Sequence, residues 1–417
     1  MRQGPWFQQP ISPLEKGGSV LVIGMGLAGT TTARFLADQG LQVTIFDAHQ
    51  GASMGTSGNP AGVVFPYVAQ EDDSAHRFYT LAYALAHHLI GAMEREGASL
   101  DRQNTGALHL LCKKRLVQIH QYLSEGRLHP FARAIESQEA NRIAGMCLDA
   151  PALFYPHACS LNPAALCRQL IKHPSIQARV GCRVEGLTFD GRFWHLEGAA
   201  GQHLAQAQVV VLANAHEAVR LAQCEQLPLR TTIGQLALVP GKHHSNVIVC
   251  HRDYLIPNVE NHTLIGATWR PDHPGEPVML ASDQAKLIAG CNRALPLDIP
   301  DSPLKGRVAR RCATPDHLPM VGPLPDHGAF SEAYHDLHLG KRKDFPPGPN
   351  YPGLYVSLAH GSRGLVSTGL CAAHLAAIIC NKQSPLTPEL AASLSPARFL
   401  MRHLKRDPVH REVEPIR

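Results

Sequence analysis

Between Ser19 and Asp47 the chain reads SVLVIGMGLAGTTTARFLADQGLQVTIFD. An apolar run, Val20 to Ile23, enters Gly24-x-Gly26-x-x-Gly29; a helix-like segment follows, then a second apolar run that ends on an acid. Gly24 permits the tight turn out of a strand, and Gly26 lets the backbone approach a pyrophosphate. Gly29 allows the helix to pack closely on that strand. The helix N-terminus offers free N–H groups and the positive end of a dipole to phosphates. Asp47, about twenty residues on, stands where a carboxylate accepts ribose hydroxyls. Together they predict a βαβ unit holding a dinucleotide; a ligand-free glycine turn leaves Asp47 unexplained.

NAD and FAD sites share this motif, and the rest of the chain separates them. After Asp47 comes not further strand–helix alternation but Gly51 to Gly62, GASMGTSGNPAG, small residues able to lay N–H groups and hydroxyls along an extended cofactor. Val209 to Ala215 reads as another buried strand ending in small residues. Gly353 to Gly369 reads as a strand, a glycine-bearing turn and a helix start. Three such elements spread over the chain predict FAD embedded in one large domain, although each alone is also an ordinary α/β junction.

A length of 417 residues fits two interleaved domains rather than one. No apolar run approaches the roughly eighteen residues of a membrane helix. Residues 1–18, with Pro5, Pro10 and Pro13 and no signal-peptide core, read as a loose leader, so the expected location is the cytoplasm. Eleven cysteines form no CxxC pair or metal-like cluster and read as reduced thiols. The 25 histidines show no HExxH-type spacing, so no metal is expected, and His87-His88 and His243-His244 read as exposed or interfacial. A formal charge of +5 is only modestly basic. Arg398, Arg402 and Lys405 are spaced to share a helical face, either a phosphate-binding stripe or a solvated helix.

The domains read as discontinuous. Residues 19–75, 151–225 and 310–400 carry cofactor-domain character, including a strand-like Val180 to Phe189 that contains Val184. Residues 76–150, with helical periodicity at Phe78, Leu81, Leu85 and Leu89, and residues 226–309 form a substrate domain. Its β-like runs Thr231 to Val239, Val247 to Ile256 and Thr263 to Trp269 predict an antiparallel sheet. Residues 326–352 read as a Pro/His/Gly-rich loop and 401–417 as a basic tail.

Further strings add a resemblance: Ser57-Gly58-Asn59 with Gly62 and Pro66, Leu161-Asn162-Pro163, Val209 to Asn214, and Gly266-Ala267. With them stand Arg311-Cys312-Ala313-Thr314-Pro315-Asp316-His317-Leu318-Pro319-Met320-Val321-Gly322, Gly361-Ser362-Arg363-Gly364-Leu365 and Ser395-Pro396-x-Arg398-Phe399. Over roughly residues 19–405 the chain resembles the D-amino-acid oxidase family of flavoenzymes. Within it, the chain is most similar to the branch whose flavin half modifies the tRNA wobble uridine beside an S-adenosylmethionine-dependent methyltransferase. Only a short tail precedes Ser19 here, so any such methyltransferase is expected to be a separate protein.

The resemblance implies a mixed α/β fold, a Rossmann-like FAD-binding domain interleaved with an antiparallel-sheet substrate domain. It implies noncovalent FAD held by Gly24, Gly26, Gly29, Asp47, Ser57, Gly58, Asn59, Gly62, Val184, Ala213, Gly361, Ser362, Gly364 and Leu365. Some relatives attach FAD through cysteine, but Cys312 reads as a buried thiol. The implied chemistry is oxidation of a C–N bond next to a carboxylate, hydride leaving the α-carbon for the flavin and the imine hydrolysing. Such a substrate calls for a bidentate, permanently charged anchor. Arg311 is the first candidate and Arg363 the second, each with a structural arginine as its alternative role; Tyr254 is a candidate pocket residue. On tRNA the reaction removes the carboxymethyl group of 5-carboxymethylaminomethyluridine, giving 5-aminomethyluridine and glyoxylate. Two alternatives stay open: an oxidase or dehydrogenase of free glycine, sarcosine or D-amino acids, and a non-catalytic flavin-containing partner in tRNA modification.

Overall fold

The first strand, Ser19–Ile23, is buried on both faces, which explains why its sequence is a continuous apolar run rather than an alternating one. In this computed structural model it lies inside a six-stranded sheet. The sheet order is Met320–Pro325, Asn350–Leu358, Val209–Leu212, Ser19–Ile23, Gln42–Phe46 and Ile176–Arg179. All neighbours run parallel except Met320–Pro325, which returns antiparallel against Asn350–Leu358. The structure describes residues 4–7, 14–67, 73–112, 117, 119, 121, 131–241, 245–340 and 344–407. His243-His244 and residues 408–417 of the basic tail lie outside them.

Alternate residues of the first strand enter different cores. Val20 and Val22 meet the helices Leu27–Asp38, Ser74–Arg95 and Gly364–Ile379. Leu21 and Ile23 meet a three-stranded antiparallel sheet, Gly186–Phe189, Trp194–Glu197 and His203–Ala207, through Leu187, Trp194 and Leu196. A separate nine-stranded sheet is built around Arg230–Pro240, which pairs with Lys305–Ala313 from Arg230↔Ala313 to Leu238↔Lys305. On its other side follow His262–Gly266, Tyr254–Val259, Ile248–Cys250, Ala107–Leu110, Ala152–Tyr155 and Arg133–Ile135. The mixed α/β architecture of a nucleotide-binding sheet joined to a larger, mostly antiparallel one is therefore as expected.

Several boundaries move. Helix Ser74–Arg95 packs with the cofactor-domain core through Phe78, Tyr79, Ala82, Tyr83 and Ala86, not with the substrate sheet. Periodicity shows that a helix has an apolar face but not what that face meets. Leu81, counted in the stripe, is 45% exposed. Ala152–Tyr155 and Lys305–Ala313 belong to the larger sheet, so the cut at 151 falls on the wrong side of the first strand and the cut at 310 divides the second. Val180 to Phe189 is not one strand: Ile176–Arg179 ends in the parallel sheet and Gly186–Phe189 starts the small one. Residues 326–352 hold a helix, His327–Ala333, capped by Asp326 accepting from the Ala329 N–H at 3.1 Å.

The leader is not loose where it is described. Trp6, on the turn Pro5–Phe7, meets Tyr334 edge-on with centroids 6.1 Å apart, and Lys405 lies over its ring. All eleven cysteines are free, and six are buried. Among the described residues no helix is long and apolar enough to cross a membrane, and no group of side chains is disposed to hold a metal.

Candidate active site

The glycine turn behaves as its spacing demands. Gly24 sits at φ +106°, where a β-carbon would lie 2.6 Å from the Ala213 carbonyl oxygen. On Gly29 a β-carbon would lie 1.7 Å from the Gly24 oxygen, so that helix turn tolerates no side chain. Gly26 is the N-cap of helix Leu27–Asp38 and makes no side-chain cap bond. Asp47 closes the unit: its carboxylate accepts from the Met25 N–H at 2.7 Å and the His49 N–H at 2.9 Å.

The small-residue segment folds back onto this turn. Ser57 Oγ accepts the Leu27 N–H at 3.0 Å, and a β-carbon on Gly26 would come within 3.1 Å of it. Gly58 and Asn59 end the 3-10 turn Thr56–Gly58, and Gly62 opens a short strand against which Leu365 packs. Gly361 (φ +58°) turns the chain after Asn350–Leu358, exposed Ser362 follows, and Gly364 begins the second helix against Leu27. These predicted positions converge at the carboxyl ends of the parallel strands, where doubly wound sheets bind ligands. Val184 lies further out: it is half-buried against the second core, two residues beyond Cys182, whose N–H donates to the Asp47 carbonyl. A helix N-terminus that opens on Gly26, with side-chain-free glycines around it and the Asp47 carboxylate at the end of the next strand, fits an extended dinucleotide.

On the larger sheet, two more glycines clear space for Arg311 and Tyr254. Gly234 leaves room for the Arg311 guanidinium, which lies 2.5 Å from where its β-carbon would be. Gly266, opposite Tyr254 in register, does the same for the phenol. Arg311 donates to the Thr268 carbonyl at 3.2 Å and lies 4.3 Å from the Trp269 ring centroid. Burial lowers the Arg311 pKa and raises that of Tyr254, and each group's field on the other opposes the shift. Arg363 stands in an aromatic box, 4.8 Å from the Tyr67 centroid, 5.2 Å from Phe65 and 5.5 Å from Tyr79. Its burial too lowers the pKa. Among the described residues neither Arg311 nor Arg363 is paired with a carboxylate.

The long string beginning at Arg311 divides by role. Cys312 is buried in the second core, and burial pushes its thiol to about 12, far from a reactive thiolate. Thr314 donates to the Leu318 carbonyl at 2.6 Å, and the Tyr79 hydroxyl donates to the His317 carbonyl at 3.1 Å. Asp316 receives Arg398 and Arg402. The basic stripe is not one free face: Arg398 is 3% exposed, Arg402 shares its carboxylate and Lys405 lies on Trp6.

Residue patterns gave no sign of Arg307. It donates to the carbonyls of Met54, Gly55 and Gly58, and so holds the cofactor-side loop from the other sheet. No local spacing signals a contact across some 250 residues. The aromatic box around Arg363 was equally hidden, although its rings are all visible as Phe65, Tyr67 and Tyr79.

The family model for FAD dependent oxidoreductases (DAO) matches residues 19–378. The tRNA 5-methylaminomethyl-2-thiouridine biosynthesis bifunctional protein MnmC of Stutzerimonas stutzeri is 33% identical over 417 aligned residues, covering 97% of this chain and 62% of that protein. The protein of the same name from Pseudomonas aeruginosa is also 33% identical, with 96% and 62% covered. The chain thus spans about three-fifths of the length of these relatives, 62%. Among solved structures, glycine oxidase from Geobacillus kaustophilus superposes with a TM-score of 0.71 at 21% identity, covering 91% of this chain and 98% of that one. Iminodiacetate oxidase from Chelativorans gives 0.70 at 22%, covering 90% and 98%.

Proposed function

The chain belongs to the FAD-dependent oxidoreductase family, and on that premise we propose that it oxidises the C–N bond of an amine carrying a carboxymethyl group. The proposed substrate is 5-carboxymethylaminomethyluridine, or its 2-thio form, at the tRNA wobble position. Oxidation of the carboxymethyl carbon to the imine and addition of water release glyoxylate and leave 5-aminomethyluridine. The freed amine is then a substrate for an S-adenosylmethionine-dependent methyltransferase. The names of the 33%-identical relatives support the tRNA assignment.

One observation carries the chemistry: a half-buried guanidinium, Arg311, with no carboxylate partner among the described residues and with Tyr254 beside it over two glycines. Bound FAD supplies the two-electron acceptor. Arg311 holds the substrate carboxylate through its planar fork, and Tyr254 stands beside it as a hydroxyl donor. Arg363 adds a second fixed positive charge. A cation disfavours protonation of a nearby amine, which keeps the nitrogen lone pair available.

The test incubates purified, yellow protein anaerobically with tRNA bearing the modified uridine and, separately, with glycine, sarcosine and D-amino acids. Flavin bleaching and glyoxylate are followed. Bleaching with tRNA and glyoxylate release are expected; bleaching by free amino acids alone would move the assignment to a small-molecule oxidase, and bleaching by neither to a non-catalytic role.

A further inference from the structure

Trp269 is an anomaly on the surface. It is 62% exposed, the most exposed tryptophan or phenylalanine among the large exposed hydrophobics, whereas Trp194 is 2% exposed. An aromatic ring left in water keeps a large flat face available to a partner. This one is also held still. One face carries the Arg311 guanidinium at 4.3 Å. The residue before it accepts from Arg311 through its carbonyl and donates its own N–H to the Gln235 carbonyl at 3.0 Å. The residue after it, Arg270, is tied to buried Asp283 at 3.1 Å and to the Val278 carbonyl at 2.7 Å. Further along, Asp272 is fixed by Arg310 at 2.7 Å. An exposed ring anchored on both flanks loses little conformational entropy when a partner stacks on it.

We infer that Trp269 is the stacking platform for the pyrimidine ring of the substrate. This rests on the reading under Proposed function, since it takes Arg311 as the carboxylate anchor. The ring lies against that anchor, so a substrate gripped at Arg311 has its remaining atoms beside the indole. Free glycine has nothing to place there. A carboxymethylaminomethyl arm, four bonds from carboxylate carbon to base, carries a flat heterocycle into that space. Stacking of an unpaired base on an aromatic side chain is the general means by which proteins hold RNA loop nucleotides. Trp269 thereby confers preference for a base-bearing substrate over a free amino acid, a specificity role distinct from the Arg311 grip.

The experiment uses FAD-loaded protein and isothermal titration calorimetry with two inert ligands. One is the nucleoside analogue with sulfur in place of the amine nitrogen; the other, methylthioacetate, has the same carboxylate arm and no base. Wild-type protein is expected to bind the nucleoside analogue more tightly. Trp269→Ala should weaken it about tenfold, the usual worth of one stacked base, and weaken methylthioacetate much less. Trp269→Phe should restore most of the difference. Equal weakening of both ligands would show that the indole only orients Arg311, and loss of bound FAD would place it in the cofactor cradle; either overturns the inference. No preference for the nucleoside analogue in wild-type protein also overturns it. Glyoxylate release from modified tRNA by wild-type protein tests the underlying reading independently.

Discussion

Arg398 reaches from the helix Ala397–Leu404 to grip both oxygens of Asp316, its Nε and Nη2 lying 3.0 and 2.9 Å from them. Arg402 adds a third contact at 2.9 Å. Burial would raise the Asp316 carboxyl, but the hydrogen bonds and charge of the two arginines hold it at about 2. A carboxyl depressed in the folded state contributes stability that is present above its unfolded pKa, about 4, and lost as pH falls through the folded value. The melting temperature should therefore drop between about pH 4 and pH 2. Asp316→Asn should flatten that window. It should also cost roughly 3–5 kcal/mol at neutral pH, because Arg398 is left buried without its counter-charge. Thermal melts across pH check both.

Arg307 donates to the carbonyls of Met54, Gly55 and Gly58, and Thr56 Oγ donates to the Arg310 carbonyl at 2.6 Å. The cofactor-side loop is thus tied to the larger sheet by polar bonds. Arg307→Met keeps the length of the side chain but removes these donors. FAD affinity should fall about tenfold or more, from loss of bonds worth roughly 1.5–3 kcal/mol each at a charged donor. Flavin release followed by fluorescence measures it.

At the glycine turn the three positions should respond differently. Gly29→Ala should prevent folding, given a β-carbon 1.7 Å from the Gly24 oxygen. Gly26→Val should fold and purify colourless, its side chain filling the space beside Ser57 where the pyrophosphate is expected. Asp47→Ala should weaken FAD by a few kcal/mol at most, with some loss of stability because the Met25 and His49 N–H groups lose their acceptor. Absorbance at the flavin band and circular dichroism separate these outcomes.

Arg311→Lys keeps charge without the fork and should lower kcat/KM; Arg311→Ala should lower it further, by about a hundredfold or more for loss of a charge-assisted pair of roughly 3 kcal/mol. Gly234→Ala is a subtler probe. Its methyl would push the guanidinium aside, since the two would lie 2.5 Å apart. It should reduce turnover while FAD content is retained. Steady-state kinetics on carboxylated amines, with flavin content measured alongside, test all three.

The dinucleotide unit was legible because part of its demand is local: Gly24 turns at positive φ, Gly29 meets the Gly24 oxygen, and Asp47 takes the Met25 and His49 N–H groups, although the atoms that crowd Gly24 and Gly26 come from Ala213 and Ser57. The larger sheet was legible as alternating runs, though the hairpin at residues 251–253 divided one of them. What escaped depends on partners far along the chain. The apolar face of Ser74–Arg95 gives no hint that it meets Gly364–Ile379. Arg398 looks like any surface cation until Asp316 is placed under it. Arg307 and Trp269 belong to no motif, and only the assembled sheet shows what they face.

Arg307 and Arg311 stand on one strand, Lys305–Ala313, four residues apart and so on the same face. That strand works as a ruler. At about 3.3 Å per residue it fixes roughly 13 Å between the hand on the cofactor loop and the proposed hand on the substrate. Nine paired positions with Arg230–Pro240 keep the ruler from sliding. A single-residue deletion near its middle would turn one of the two arginines to the opposite face, so cofactor and substrate would no longer be presented to each other even if both still bound.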